Sequence, residues 1–459
     1  MNSLFYRDKE LYIISKLDKN TLILAKDIMQ KDKNSRIVFA GVGKVDKEDV
    51  KCAKALGGQI IKTTAENIYM PFYDKRSCVR FILADSDENK NTKTALRLTE
   101  LYRDRANAEI YAFTSTRESE LLFDSIYKGK PAGGIRPVRL RRVNTVRNQI
   151  YKYILDNSVF ETAVEEYNEK IISVLIIGMG GYGTEMLKAL IWCGQMDGYI
   201  LRFHIIDKSP DIESVFYREC PGIRQRGTQP KYGEDYYEFN FYPETDVKTE
   251  KFTEIIKNIS GISSVFISLG NEQANIETAI GLRTILSGRK IDNGLRPDYS
   301  PETRQFPPIT AVVHSDEKAV LLNNNRLSNF RHQYYNISCI GSVSEQFSYE
   351  NIMSPEFEKM AYDIHSKWGS YDEFNNYEYN RRSSLASAIH KKYRESLMPE
   401  DETKDVLEHK RWNAYMRSTE GYSFGLIRDD IARRHPLLVK YGNLSRIEKD
   451  KDRNANMNA

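Results

Sequence analysis

Gly178, Gly180, Gly181 and Gly183 stand in the run Gly-Met-Gly-Gly-Tyr-Gly, directly after an apolar stretch at 173–177. Their spacing suits a backbone that approaches a pyrophosphate. The first glycine permits a tight turn, the second lets phosphate oxygens close in, and the last lets a helix pack near the strand. The amides at the start of that helix would face the anion. Asp207 follows a second apolar run at 201–206. There a carboxylate can accept hydrogen bonds from ribose hydroxyls. NAD and ATP are the cofactors such a turn would take.

A second group of chemistry-bearing residues lies near the C-terminus. Asn380, Arg381, Arg382 and Ser383 form a cationic, hydroxyl-bearing helix start. Guanidinium forks match phosphate oxygens two at a time. Arg411, Trp412 and Tyr415 share the next helix, where aromatic faces can stack on a base. The competing expectation is internal: Trp412 and Tyr415 as core anchors, and one arginine paired with Glu378. Catalysis has little support. The chain holds no HExxH, GxSxG or P-loop motif, and its seven histidines lack metal-ligand spacing. Asp85 and Asp87 read as a cation or ribose site, or as caps of the following helix. An adenylating enzyme and an NAD-dependent dehydrogenase are weighed for the glycine turn. The first lacks its asparagine and cysteine context, and the second lacks a nameable catalytic His/Lys pair.

These residues need elements to hold them. Apolar runs at 11–15, 36–40, 59–63, 79–84 and 109–113 alternate with helical patterns at 21–30, 46–56 and 89–102. The alternation repeats at 173–177, 201–206, 237–242, 264–269 and 309–314, the last taken as the final strand. Helices are expected at 252–259 and 276–286. Alternating strands and helices imply parallel sheets covered on both faces. The expected fold class is therefore α/β, two tandem Rossmann-like domains and then a small, mostly helical domain. The segments are 1–135, without a glycine turn; a helical linker at 136–170; 171–344; and 345–459. In the last, helices are expected at 355–366, 379–394 and 403–419, with shorter ones at 428–434 and 445–452. Asn271 and Glu272 fall at a strand end facing the ligand crevice, or else form a polar loop with a helix cap.

Composition bounds the rest. The chain has 459 residues, 68 basic and 64 acidic, for a net charge of +4. That balance argues against DNA or RNA as a partner. The basic cluster at 136–147 reads as a β-edge and helix start. Five scattered cysteines without a CxxC pair suggest a reducing, cytoplasmic setting. No run approaches the ~18 apolar residues of a membrane helix.

The segments LYIISKLDKNTLILAKDI (11–28), FILADSDENKNTKTALRLTELYRD (81–104) and AEIYAFTSTRESELLF (108–123) resemble TrkA-N, or RCK-type, domains, chiefly in the pattern Asp85-x-Asp87-x-Asn89. VLIIGMGGYGTEMLKALIW (174–192) is similar to the same superfamily. The resemblance implies a homodimer that senses nucleotides or ions and signals to a membrane pore. YEYNRRSSLASAIHKKY (377–393), LEHKRWNAYMRSTEGY (407–422) and HPLLVKYGNLSRIEKDKDR (435–453) resemble the RyR repeat. A TrkA-N pair fused to a RyR module is similar to proteins proposed to sense nucleotide second messengers in antiphage defence, including CBASS-like systems. Some relatives carry transmembrane helices upstream. The resemblance thus implies a sensor or effector that binds a cyclic nucleotide through its helical domain. The alternative is a cytoplasmic regulatory module of a channel or transporter switched by NAD(H), ATP or a cyclic nucleotide.

Overall fold

The computed structural model describes residues 10–43, 45–68, 78–103, 105, 107–126, 138–166, 169–225, 234–292, 306–324, 327–397 and 401–456. The chain forms two compact units. One comprises Met1–Asn148 with Val343–Arg382, the other Gln149–Ser342 with Ser383–Ala459. This division differs from the four segments read along the sequence. The expected linker contributes strands to both sheets, and residues 343–459 are shared between the units.

In the first unit, β1 (Glu10–Ile14), β2 (Ser35–Phe39), β3 (Gln59–Ile60), β4 (Val79–Leu83), β5 (Ala108–Phe113) and β6 (Arg139–Val143) form a parallel sheet in the order 3-2-1-4-5-6. Its strands are apolar on both faces because helices cover both. Leu11, Ile13, Phe81 and Ile110 pack with Ala95 and Leu98 of the helix Glu88–Leu101. Tyr12, Ile14, Phe39 and Ile82 face Leu24, Ala25 and Ile28 of the helix Lys19–Lys31, with Ile352 and Met353 from the returning chain. Asp18 starts that helix in a reciprocal cap with Thr21. The apolar run at 59–63 keeps only two residues as strand. Beyond Ile60 the chain still bonds the loop after β2, where Gly41 N–H donates to Thr63 O at 2.7 Å, and then turns into a short helix at Ala65–Asn67.

The second unit repeats the winding. β8 (Glu169–Ile177) is central, with β9 (Tyr199–Ile206) and β10 (Glu238–Tyr242) on one side. On the other side lie β11 (Ser264–Ile267), β12 (Ile309–Val312) and β13 (Ile337–Ile340). β7 (Val164–Glu166) adds antiparallel to β8. The fold class is thus α/β, two tandem Rossmann-like parallel sheets with a mostly helical C-terminal region.

Two expectations need correction. The run at 309–314 is not the last strand, because β13 pairs with β12 through Ile337↔Ile309 to Ile340↔Val312. Its four residues follow a polar, Asn-rich stretch that masks them. Residues 428–434 form no helix. Asp429 Oδ1 accepts the Ile431 and Ala432 N–H groups, both at 2.9 Å. This Asx-type turn competes with helix and leads instead into the two-residue strands β14 (Ser423–Phe424) and β15 (Arg434–His435).

Candidate functional site

β8 and β11 are neighbours at the centre of the second sheet, where the winding reverses and the crevice beyond the strand ends opens. The glycine run lies there, and its four glycines divide into two kinds. Gly178 has φ +90°, and a Cβ on it would come 2.4 Å from Ser268 O. A Cβ on Gly183 would come 1.9 Å from Gly178 O. These two let the helix Gly181–Cys193 start directly against the strand ends, where Ser268 Oγ donates to Gly178 O at 2.8 Å. Gly180 and Gly181 are not required by packing. A Cβ on Gly180 would meet only Ser268 O, at 4.0 Å, and one on Gly181 nothing within 4 Å. Both are exposed, and no side chain caps the helix they open.

Asp207 is half-buried at the end of β9. Its Oδ2 accepts the Met179 N–H at 2.7 Å and its Oδ1 the Ser209 N–H at 2.8 Å. The aspartate therefore shapes the turn from inside. Each carboxylate oxygen has two acceptor positions, so both remain open to ribose hydroxyls. The residues present fit a nucleotide: an open backbone cradle at a helix N-terminus, with an acidic group one strand away.

Across the crevice, Asn271 Oδ1 accepts the Ala274 N–H at 2.9 Å, so the helix-cap reading describes it. Glu272 accepts the His314 and Ser315 N–H groups at 2.8 and 2.6 Å, tying the end of β11 to that of β12. Asn275 completes the clamp. Its Oδ1 takes the Leu269 N–H at 2.7 Å and its Nδ2 donates to Val312 O at 2.8 Å. The first unit has the same device. Asn91 takes the Asp85 N–H at 3.0 Å and donates to Phe113 O at 2.9 Å, while Glu88 takes the Ser115 N–H at 2.9 Å. Sequence reasoning missed Asn275, Asn91 and Glu88. The available signal was Glu-x-x-Asn repeated at two helix starts. Asp87 caps its helix by accepting the Asn89 N–H at 2.9 Å, and Asp85 takes Lys90 Nζ at 2.6 Å. That hydrogen bond, against a small cost of burial, holds the Asp85 carboxyl below its ordinary range. Tyr182, also missed, donates from its hydroxyl to Gln149 Oε1 at 2.6 Å.

The predicted cationic cluster is engaged internally. Arg381 donates to Phe374 O at 2.9 Å and to Asn375 O at 2.8 Å, and Asn380 Nδ2 to Glu373 O at 3.2 Å. Arg382 binds Glu378 at 3.1 Å and Glu120 at 2.7 Å, and Arg142 binds the same two carboxylates at 3.0 and 3.2 Å. Four side chains of alternating charge thus close a ring. Burial opposes ionisation there, yet Arg382 and Arg142 hold the Glu120 carboxyl down to about 2. Nearby Asp124 rises to about 6 through burial and the charges of Glu120 and Glu378. Ser383 is buried.

Arg411 and Tyr415 are also buried. Arg411 and Arg394 share Glu408 at 2.8 and 2.6 Å, and Tyr415 Oη donates to Glu420 Oε1 at 2.8 Å. Trp412 is half-buried, between His409 (ring centroids 5.6 Å) and His435 (5.1 Å), with Tyr422 beside His435. The structure therefore does not gather Arg411, Trp412 and Tyr415 on one open surface.

The helix Asp401–Ser418 docks on the flank of the glycine-turn helix. Ser418 Oγ donates to Lys188 O at 3.2 Å, and Tyr415 meets Trp192 edge-on at 6.2 Å. Lys410 pairs with Asp197 at 3.0 Å and Arg417 with Asp235 at 3.3 Å. One end of the glycine-turn helix faces the crevice, and its side carries the C-terminal helices.

No family model and no curated protein matches the chain. Among solved structures it is similar to the GsuK channel, at 14% identity over 75% of this chain and 68% of that one, with a TM-score of 0.38. It is also similar to a dipicolinate synthase from Bacillus halodurans, at 7% identity over 74% of this chain and 94% of that one, with a TM-score of 0.24. Among the described residues no helix is long and apolar enough to cross a membrane.

Proposed function

We propose that the second unit binds an adenosine-containing nucleotide, NAD or ATP, at its glycine turn, and that the chain is a nucleotide-responsive regulatory module. The observation that carries this is the pair Gly180 and Gly181, whose missing side chains leave open space that packing does not require. The phosphates would lie over the start of the helix Gly181–Cys193, and Asp207 would hold ribose hydroxyls. A bound nucleotide contributes charge and shape at one end of a helix whose flank carries the helix Asp401–Ser418. A ligand that binds one arrangement of this helix pair better shifts the population toward it. This fits a regulator of a channel or transporter, working as a homodimer.

Gly180→Val tests the reading. Its side chain enters the phosphate space and touches little else, so thermal melting should stay unchanged while nucleotide affinity falls at least about 100-fold, on the order of 3 kcal/mol. Unaltered NAD and ATP binding in a folded variant would place the ligand elsewhere.

A second reading concerns the C-terminal helices, where a cyclic nucleotide in antiphage defence was expected. The half-exposed ring of Trp412, beside His435 and Tyr422, is the feature that favours it. Since Arg381, Arg382 and Arg411 are engaged by neighbours, a base would rely on stacking against Trp412. Trp412→Ala should then weaken a cyclic dinucleotide by about 1–3 kcal/mol. Equal affinity in both proteins would remove this site.

A further inference from the structure

A cavity of about 770 Å³ opens at the N-terminal ends of β11, β12 and β13, the edge of the second sheet opposite the glycine turn. Its size falls within the usual range for small-molecule sites. On one face of the sheet the helix Thr145–Asp156 brings Tyr153 and Asp156 to it, and Glu161 follows. Tyr153 Oη is hydrogen-bonded to Thr310 Oγ1 at 2.7 Å, which fixes that wall to β12. On the other face lies Leu286 of the helix Glu272–Asp292, packed in one core with Ile309. Successive strand residues point to opposite faces, so Ile309 and Thr310 mark the two sides.

Arg283 stands on the Leu286 side, 5% exposed. Its Nε donates to Tyr335 O at 2.7 Å and its Nη2 to Pro307 O and Asn336 O at 2.9 and 3.0 Å. Its Nη1 has no hydrogen-bond partner, and no described carboxylate pairs with it. Burial alone draws its pKa down to about 10. Pro307 and Asn336 themselves line the cavity, so the guanidinium lies one residue behind the wall. A desolvated charge without a counter-charge is costly, and an anion nearby would relieve it. Among the described residues the lining itself contains the carboxylates Asp156 and Glu161 and no lysine, arginine or histidine.

We propose that this cavity is a second ligand site, separate from the glycine turn, for a small amphoteric molecule that carries a protonated amine and an anionic group. The amine lies toward Asp156 and Glu161, and the anionic end lies toward Arg283. A simple anion would meet two carboxylates, and a simple cation would leave Arg283 uncompensated.

The test is calorimetric titration of the intact chain with free amino acids from glycine to L-lysine and with γ-aminobutyrate, against butyrate and butylamine as single-charge controls. At least one amphoteric probe should bind, at least tenfold tighter than either control. The double variant Asp156→Asn, Glu161→Gln should weaken it about tenfold. Ser264→Phe should abolish it by filling the space, and Gly180→Val should leave it unchanged. Melting curves confirm that each variant is folded. Binding of no amphoteric probe, binding of butyrate as tight as the best probe, or binding indifferent to both cavity variants overturns the proposal.

Discussion

Arg382 illustrates what a residue's type does and does not reveal. Its charge and its place beside Arg381 pointed toward a phosphate ligand. In the fold it bonds Glu120, 262 positions away in sequence, and closes a ring with Arg142 and Glu378. Pairing of one arginine with Glu378 was legible, since the two are one helical turn apart. Glu120 was not, because nothing local links a residue of the first unit's sheet layer to one near the C-terminus. Arg382→Ala leaves two part-buried carboxylates short of a partner and should lower stability by about 3 kcal/mol in urea unfolding, with nucleotide affinity unchanged. A loss below about 0.5 kcal/mol would reduce the ring to an ordinary surface pair. The glycines were legible to the opposite degree. Their spacing indicated a turn, but only packing separated Gly178 and Gly183, which the fold requires, from Gly180 and Gly181, which it does not.

Strands and helices were legible wherever apolar runs are long and regularly spaced, as in β8 and the helix Glu88–Leu101. They were lost where the element is short, as in β13, or where a side chain captures the backbone, as Asp429 does. The Glu-x-x-Asn clamp belongs to this scale, since it joins the ends of two parallel strands that share no sequence neighbourhood. Asn275→Ala removes the partners of the Leu269 N–H and the Val312 carbonyl, and Asn91→Ala those of the Asp85 N–H and the Phe113 carbonyl. Each should cost about 1–3 kcal/mol of unfolding free energy, because buried backbone groups lose their bonds. If Asn275→Ala also loosens nucleotide binding while Asn91→Ala does not, the crevice of the second unit depends on its clamp.

Acid sensitivity follows from groups spread through the whole chain. His390 lies well below its ordinary value of 6.5 through burial and the neighbouring Arg394, and His204 and His435 fall to about 4 through burial and nearby arginines. Each is neutral in the fold and charges more readily when unfolded. Its stabilisation is complete above about 6.5 and is lost as pH falls toward the folded value. Asp124 works with the opposite sign: raised to about 6, it stabilises below 3.8 and loses that contribution as pH rises through 6. Three histidines outweigh one aspartate. The urea midpoint should therefore drop between pH 7.5 and pH 5, with each histidine contributing on the order of 1–2 kcal/mol. Equal midpoints at the two pH values would contradict the histidine environments.

By itself the sequence determined the α/β class, the duplicated alternation and the position of the phosphate-type turn, because these rest on local periodicity and on the steric freedom of glycine. Tertiary structure decided which chain segments make up each unit, which arginines are already engaged, and where a charge stands buried without its counter-charge. Those depend on contacts between residues hundreds of positions apart, and local pattern carries no record of them.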